Sequence, residues 1–366
     1  MTEAGTYTHE QIRGNKVTPK EVFYKPGAPA GETAAVLPSP LTYFTDEERA
    51  QQPEGAFVAE ASQRFQINRR DLLQQQLNGL DYSEQPNGVI VFAKDIQRKL
   101  DVAIKFLNPW KLRYKSGNPR EKKDIQERIA EFYHEAKVLQ KLSHPHIIKA
   151  HGVVLEQVNG MEVPGIVLDK LQQINYRNMQ AGNVLEMVEQ IGAALDYAES
   201  QGIIHQDVNP HNLLLNNEGK FILTDFGIAD DASEPILKGG GAPPFADPWQ
   251  QNVKSTESQQ LKGRTNQYGL AMTALYALKR LPEGAQLTVG AGSQMRLTTA
   301  GRPLPPEVMR VLNKATAYRR EDRYTSCTEF VNELQIALGP DAKRQISPRV
   351  GKHTGLSILR LMGLRR

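Results

Sequence analysis

Cysteine is nearly absent: Cys327 stands alone in 366 residues. A single thiol closes no internal disulfide and builds no cysteine metal cluster, which fits a reducing compartment. Its setting, T-S-C-T-E-F, reads as a packed helix residue rather than a nucleophile. Long apolar runs are missing too. No stretch reaches the roughly 18 residues that span a bilayer. The start, M-T-E-A-G-T-Y-T-H-E, has neither the basic nor the apolar region of a secretory signal, so the expected location is cytoplasmic. Hydrophobic residues amount to 39%, low for a fully packed chain, and part of it is expected not to pack. Internal repeats are absent. Acidic residues vanish after residue 341: Ala342 to Arg366 holds seven Lys or Arg and no Asp or Glu. That tail carries +7 against a net charge of +4, leaving −3 on residues 1–341. The body is therefore not expected to bind nucleic acid.

The densest chemistry lies at residues 203–227, I-I-H-Q-D-V-N-P-H-N-L-L-L-N-N-E-G-K-F-I-L-T-D-F-G. Two apolar runs, Leu213 to Leu215 and Phe221 to Leu223, flank the turn composition N-N-E-G. Two short strands would thus bring the polar loop before Leu213 beside Asp225. One carboxylate near a substrate hydroxyl, with a carboxylate and an amide aimed at a metal ion, is what phosphoryl transfer needs. The stretch resembles the catalytic loop and D-F-G segment of the eukaryotic-type protein kinases. The resemblance implies that Asp207 accepts the proton of the substrate hydroxyl and that Asn212 and Asp225 hold Mg2+, or Mn2+ in its place. Small-molecule phosphotransferases of the aminoglycoside and choline type share an H-x-D-x-x-x-x-N loop, so the rest of the chain must decide.

Upstream, residues 1 to about 65 are rich in Ala, Gly, Pro, Glu, Gln and Thr without helical or strand period. They read as a mostly disordered leader, with a brief helix near Asp46 to Gln52. Residues 66–77 read as a short helix. Where kinases carry a Gly-rich loop over the nucleotide phosphates, the chain has Gly88 at the last glycine but Ser83 and Gln85 at the first two. Val102-Ala103-Ile104-Lys105 matches the family's V-A-I-K. A lysine on a core strand needs an anionic partner. Ile125, Ile129, Phe132, Leu139 and Leu142 form one helical stripe. Glu135 borders it at about 80° from the stripe's centre, so it can meet Lys105 in the family's lysine–glutamate pair. His144-Pro145-His146 has no converging third ligand and does not read as a metal site.

The resemblance continues downstream. Gly165 to Leu168 looks like the strand into the hinge, whose backbone from Asp169 to Leu171 would meet the adenine edge. With Gly88, Ile90, Ala103, Lys105, Leu168 and Leu214, these residues form the implied nucleotide site. Residues 183–201 read as an amphipathic helix stopped by Gly202. Gly241-Ala242-Pro243, Phe245 and Asp247-Pro248-Trp249 resemble the family's G-T-P-x-Y-x-A-P-E segment, which the small-molecule phosphotransferases lack. The run T-N-Q-Y-G-L-A-M-T-A-L-Y-A-L is apolar nearly all round, and a Gly/Thr-rich insert occupies residues 285–302. Helices are expected from Pro306 to Leu338, with Arg323 at the family's closing arginine.

The resemblance covers roughly residues 78–338. It implies an α+β fold of two lobes: a small lobe of about 66–168, with a five-strand antiparallel sheet and one helix, and a mainly helical large lobe of about 169–340. Nucleotide would sit between them. The implied activity is transfer of the γ-phosphate of ATP to a protein hydroxyl, by default serine or threonine. Lys105, Glu135 and Asp207 would be catalytic. Four departures cluster. Gln206 replaces the arginine of H-R-D, and Asn209 the lysine that stabilises the transferring phosphate. Ala242 replaces a threonine near that lysine, and Asn266 the aspartate that braces the H-R-D backbone. With Trp249 in place of the A-P-E glutamate, the ion pair of Arg323 is expected to be lost. The alternatives are a pseudokinase scaffold that binds a protein partner, and a kinase for a non-protein substrate. The segment Ile228 to Trp249 has one hydroxyl residue, Ser233, so activity is expected not to need a phosphate there. The basic tail, residues 341–366, is expected to touch an anionic membrane surface or an acidic partner.

Overall fold

The computed structural model describes residues 32–34, 65–67, 88–108, 113–115, 119–158, 161–231, 245–248, 250, 263–279 and 304–342. They fall into two compact units. The first holds the described residues up to Lys137 together with Ala150–Lys170; the second holds Val138–Lys149 and the described residues from Leu171 on.

The first unit contains β1 (Glu32–Ala34), β2 (Phe65–Ile67), β3 (Gly88–Asp95), β4 (Leu100–Leu107), β5 (Arg113–Lys115), most of helix α1 (Pro119–Lys141), β6 (Ala150–Val158) and β7 (Met161–Asp169). Five of these strands form one sheet in the order β2-β3-β4-β7-β6, antiparallel throughout. The β3–β4 turn is closed by Asp95, whose carboxylate accepts the N–H groups of Gln97 and Arg98 at 3.1 and 3.0 Å. Alternation along V-I-V-F-A and V-A-I-K-F sorts side chains between two faces. Val91, Ala93, Val102, Ile104, Phe106, Val154, Val163 and Val167 form one buried cluster. A one-residue slip would turn this set to the other face, so burial fixes the register. Gly165 is required here: a Cβ on it would lie 2.7 Å from the Phe106 ring.

Two expectations are corrected here. Phe65–Ile67 is an edge strand, not helix, and Phe65 is buried in the same cluster. Three residues of alternation are too few to outweigh a helical reading; residues 68–77 lie outside the described residues. Within the leader, Glu32–Ala34 pairs antiparallel with Arg113–Lys115, where no strand was expected.

In the second unit follow β8 (Gln172–Gln173), α2 (Ala181–Ser200), β9 (Ile203–Ile204), β10 (Leu213–Leu215), β11 (Phe221–Leu223), β12 (Asp230–Asp231), α3 (Gly263–Lys279), α4 (Pro306–Ala315) and α5 (Cys327–Leu338). Helix α2 buries Val184, Met187, Val188, Ile191, Leu195 and Ala198, the stripe the sequence marks. Gly202 ends it at φ 77°, its N–H on Glu199 O at 2.8 Å. Asp196 of α2 caps α5, accepting the N–H of Cys327 at 2.9 Å and of Thr328 at 2.8 Å. Cys327 is buried in that seam, and burial, followed by Asp196, pushes its thiol well above the usual range. It is a packing residue, as its sequence setting indicates. Among the described residues no helix is long and apolar enough to cross a membrane.

Candidate active site

In the first unit, strand pairing decides which residues share a surface. Ile90, Lys105 and Ile166 lie opposite one another across β3, β4 and β7, as do Phe92, Ala103 and Leu168. The expected nucleotide residues Ile90, Ala103, Lys105 and Leu168 therefore line one sheet face, opposite the face that holds the buried cluster. Ile90 is 39% exposed there, a large apolar side chain left open. Gly88 stands on the same face, where a Cβ would approach Phe106 O at 3.1 Å and Lys105 Cγ at 3.4 Å. Lys105 Nζ donates to both carboxylate oxygens of Glu135 at 2.8 Å. Glu135 is buried deeper than a stripe-edge position suggests, at 3% exposure, among Phe132, Tyr133, Ala136 and Leu139. Burying a carboxylate is costly unless it is paired, and Lys105 supplies that pairing. At the strand's end, Asp169 Oδ1 lies 2.7 Å from His151 Nε2, and the chain leaves this unit between Lys170 and Leu171, at the expected hinge.

In the second unit the loop 205–212 runs from β9 into β10, and the β10–β11 hairpin closes on N-N-E-G as expected. Asn216 Oδ1 accepts the N–H of Glu218 and of Lys220, and Gly219 takes φ 73°. Leu214 on β10 pairs with Gln173 and Ile222 and is half-buried. Asp207 is held on both carboxylate oxygens: Asn209 Nδ2 donates to Oδ1 and Asn212 Nδ2 to Oδ2, each at 2.9 Å. The carbonyl of Asn212 takes both the N–H and the hydroxyl of Thr224, at 2.9 and 3.0 Å. That bond ties the loop to the residue before Asp225. Asp225 adopts the left-handed region at φ 62°, which sends its own side chain outward while Phe226 is fully buried. The Phe226 ring meets His205 edge-on at 4.5 Å. His205 Nε2 faces Thr224 O at 2.9 Å and Nδ1 accepts the Asp207 N–H at 3.2 Å, a pattern that only the neutral Nε2–H tautomer satisfies. Burial holds its pKa below the ordinary value, with Asp207 opposing.

The oxygen donors suit a hard cation. Asn212 spends its Nδ2 on Asp207, which leaves Oδ1 as that amide's acceptor, and the Asp225 carboxylate is exposed. Two oxygen groups, rather than a complete protein cage, are what Mg2+ usually takes when substrate phosphates supply the remainder.

Two of the departures behave differently from expectation. Asn266 still braces the loop: its Oδ1 accepts the N–H of Gln206 at 3.1 Å, because the brace needs an acceptor and an amide oxygen is one. The pair of Arg323 is not lost. Arg323 Nη1 and Nη2 bind Asp247 Oδ2 and Oδ1 at 2.7 and 3.1 Å, two positions before the expected glutamate. Arg320 Nε adds a third contact at 3.0 Å. The guanidinium also sits 5.1 Å over the Tyr268 ring. Burial and then Asp247 push the Tyr268 hydroxyl up to about 12. Gln250, which the sequence reading passed over, accepts the Asp247 N–H and donates Nε2 to Gln206 O at 2.7 Å. Gly269 was also missed: a Cβ there would lie 2.6 Å from Val208 O, so α3 touches the loop 205–212 only because residue 269 is glycine. Ser83, Gln85, Ser233, Gly241 to Pro243 and Trp249 lie outside the described residues.

Residues 87–248 match the protein kinase domain. The serine/threonine-protein kinase PknI of Mycobacterium tuberculosis is 29% identical over 221 residues, 57% of this chain and 34% of that protein. PknF of the same organism is 29% identical over 252 residues, 60% of this chain and 50% of that protein. The serine/threonine-protein kinase Pkn1 of Myxococcus xanthus is 28% identical over 261 residues, 64% of this chain and 35% of that protein. The match thus spans between a third and a half of these relatives. With the sheet unit, the helical unit and the paired loop residues above, residues 87–248 are a protein kinase domain similar to those of the serine/threonine kinases.

Proposed function

We propose that the chain is an ATP-dependent protein kinase acting on serine or threonine hydroxyls. The observation that carries this reading is the grip on Asp207, both of whose carboxylate oxygens are held by amide N–H groups. A base so fixed is of use to a reaction in which a hydroxyl must lose its proton in line with a phosphate. In this reading Asp207 takes that proton as the hydroxyl oxygen bonds to the γ-phosphorus. The bond from phosphorus to the bridging oxygen breaks, and ADP leaves. Lys105, oriented by Glu135, binds the α- and β-phosphates. Asn212 and Asp225 would hold Mg2+, which would neutralise phosphate charge. Gly88, Ile90, Ala103 and Leu168, with the backbone of Asp169 and Lys170, are the first unit's proposed nucleotide contacts, and Leu171 and Leu214 are the second unit's. The names of the relatives support serine and threonine over tyrosine.

The test is transfer of labelled γ-phosphate from Mg-ATP by the purified chain to generic protein substrates, with Asp207→Asn as control. Transfer lost in the control supports the reading; equal transfer by both overturns it. A second reading, a scaffold of weak catalysis, is favoured by the lack of a cation at Asn209, and ATP binding without any transfer would select it. We further propose that activity needs no phosphate on Ser233, because Gln206 offers no charge to hold one. A tenfold loss in Ser233→Ala or after phosphatase treatment would overturn that. The lone cysteine supports a cytoplasmic setting. The charge of the tail supports contact with anionic surfaces, tested by liposome co-sedimentation with and without residues 342–366.

A further inference from the structure

We propose that Asn209 is a positioning residue that orients the carboxylate of Asp207, and that residue 209 is not a vacated cation position. The inference rests on Asp207 being the proton acceptor of phosphoryl transfer.

Asn209 is 2% exposed, and its amide is engaged at both ends. Its Oδ1 accepts the His211 N–H at 2.9 Å and so caps the 3₁₀ turn Pro210–Asn212. Its Nδ2 donates to the Asp207 carbonyl at 3.1 Å and to Asp207 Oδ1 at 2.9 Å. The reverse amide orientation would set Nδ2 against an N–H and Oδ1 against two oxygens, so hydrogen-bond chemistry selects the one observed. From the other side, Asn212 Nδ2 donates to the Asp207 carbonyl and to Oδ2, both at 2.9 Å. Each carboxylate oxygen thus has its own amide donor. Rotation of the carboxylate about its Cβ–Cγ bond would break both contacts at once. Asn209 has no donor left over for a phosphate, and its buried, neutral group does not act as one. What it supplies is a fixed aim for the base, and misplacement by about 1 Å costs on the order of 10²-fold in rate.

Capping and orienting can be separated by substitution. Asparagine, aspartate and serine are all good N-caps. Asn209→Asp keeps the oxygen for His211 N–H but sets a second carboxylate against Asp207 in place of a donor. Asn209→Ser keeps a capping oxygen and is too short to reach the carboxylate. Asn209→Lys restores a charge at the position. Each variant is assayed for kcat, for KM of ATP and for the thermal midpoint, beside the wild-type chain. The expected result is a fall in kcat of about tenfold or more in all three, with KM for ATP unchanged. Asn209→Asp or Asn209→Ser at wild-type kcat would reduce Asn209 to a cap and overturn the inference. A kcat above wild type in Asn209→Lys would show a vacated cation position and overturn it as well. Either result leaves the kinase reading standing, whereas no transfer by the wild-type chain overturns both.

Discussion

Arg323 and Asp247 form a bidentate ion pair in which neither side chain is exposed to solvent. The pair joins the stretch 245–248 to the loop before α5. Removing Asp247 leaves the buried Arg323 guanidinium without its carboxylate, at a cost of about 3–5 kcal/mol, whereas removing Arg323 leaves Asp247 the contact with Arg320. Asp247→Ala is therefore expected to lose that much in denaturant unfolding and Arg323→Ala less. The double variant Asp247→Leu with Arg323→Met is expected to lose less than Asp247→Ala. Losses that simply add would mean that the two side chains do not depend on one another.

Gly269→Ala is expected to damage the catalytic loop from behind. The added Cβ would lie 2.6 Å from Val208 O and 2.9 Å from Val208 Cβ, and a backbone carbonyl cannot swing away as a side chain can. A loss of about 1–3 kcal/mol in stability follows from such overpacking. Because Val208 adjoins Asp207, kcat should fall further than the stability loss explains at temperatures where the variant remains folded. Wild-type kcat in a folded Gly269→Ala protein would contradict this close contact.

His205 makes stability depend on pH. Burial holds its folded pKa below 6.5, so below that pH the unfolded chain takes up a proton that the folded chain refuses. Stability is then present above pH 6.5 and falls as the pH drops toward the depressed folded value. His144, lowered by burial and by His146, acts in the same direction. The free energy of unfolding should fall between about pH 7.5 and 5.5, and fall less in His205→Asn than in wild type. An equal fall in both would rule His205 out as a contributor.

Lys105→Met is expected to abolish transfer and also to weaken the fold. It leaves the Glu135 carboxylate, 4% exposed, without the lysine that binds both its oxygens. Losing that donor at a buried carboxylate costs about 1–3 kcal/mol. Adding Glu135→Gln should recover part of the stability and none of the transfer. Asp225→Ala, at an exposed side chain, should abolish transfer with little change in stability. Thermal unfolding and transfer assays on the same preparations separate the two effects.

Short-range chemistry was legible in the sequence, and long-range chemistry was not. Asp207 and Asn212 lie five residues apart on one loop, where a reaction demands residue types at a fixed spacing. Lys105 and Glu135 are 30 apart but announced themselves through a strand motif and a helical stripe. Asp247 and Arg323 are 76 apart, and a carboxylate displaced by two positions breaks the motif while keeping the bond. Asn266 looked like a loss because its job was read from its charge, whereas the Gln206 N–H asks only for an oxygen. Phe65–Ile67 is too short to carry a period of its own, and its pairing with β3 decides its conformation. Gln250 left no signal at all: a glutamine after D-P-W is unremarked until Gln206 O is seen beside it.

Gln206 is gripped at both peptide groups, with its N–H on Asn266 Oδ1 and its C=O on Gln250 Nε2. At φ 65° it occupies the left-handed region, which β-branched residues rarely adopt. The course of the loop at this point is therefore written in main-chain bonds, and the side chain hangs from it as an exchangeable attachment. Arginine or another long polar residue at 206 is therefore expected to leave the path to Asp207 in place. Charge at this site and geometry at its neighbour are thus independent traits, free to drift or be selected one at a time.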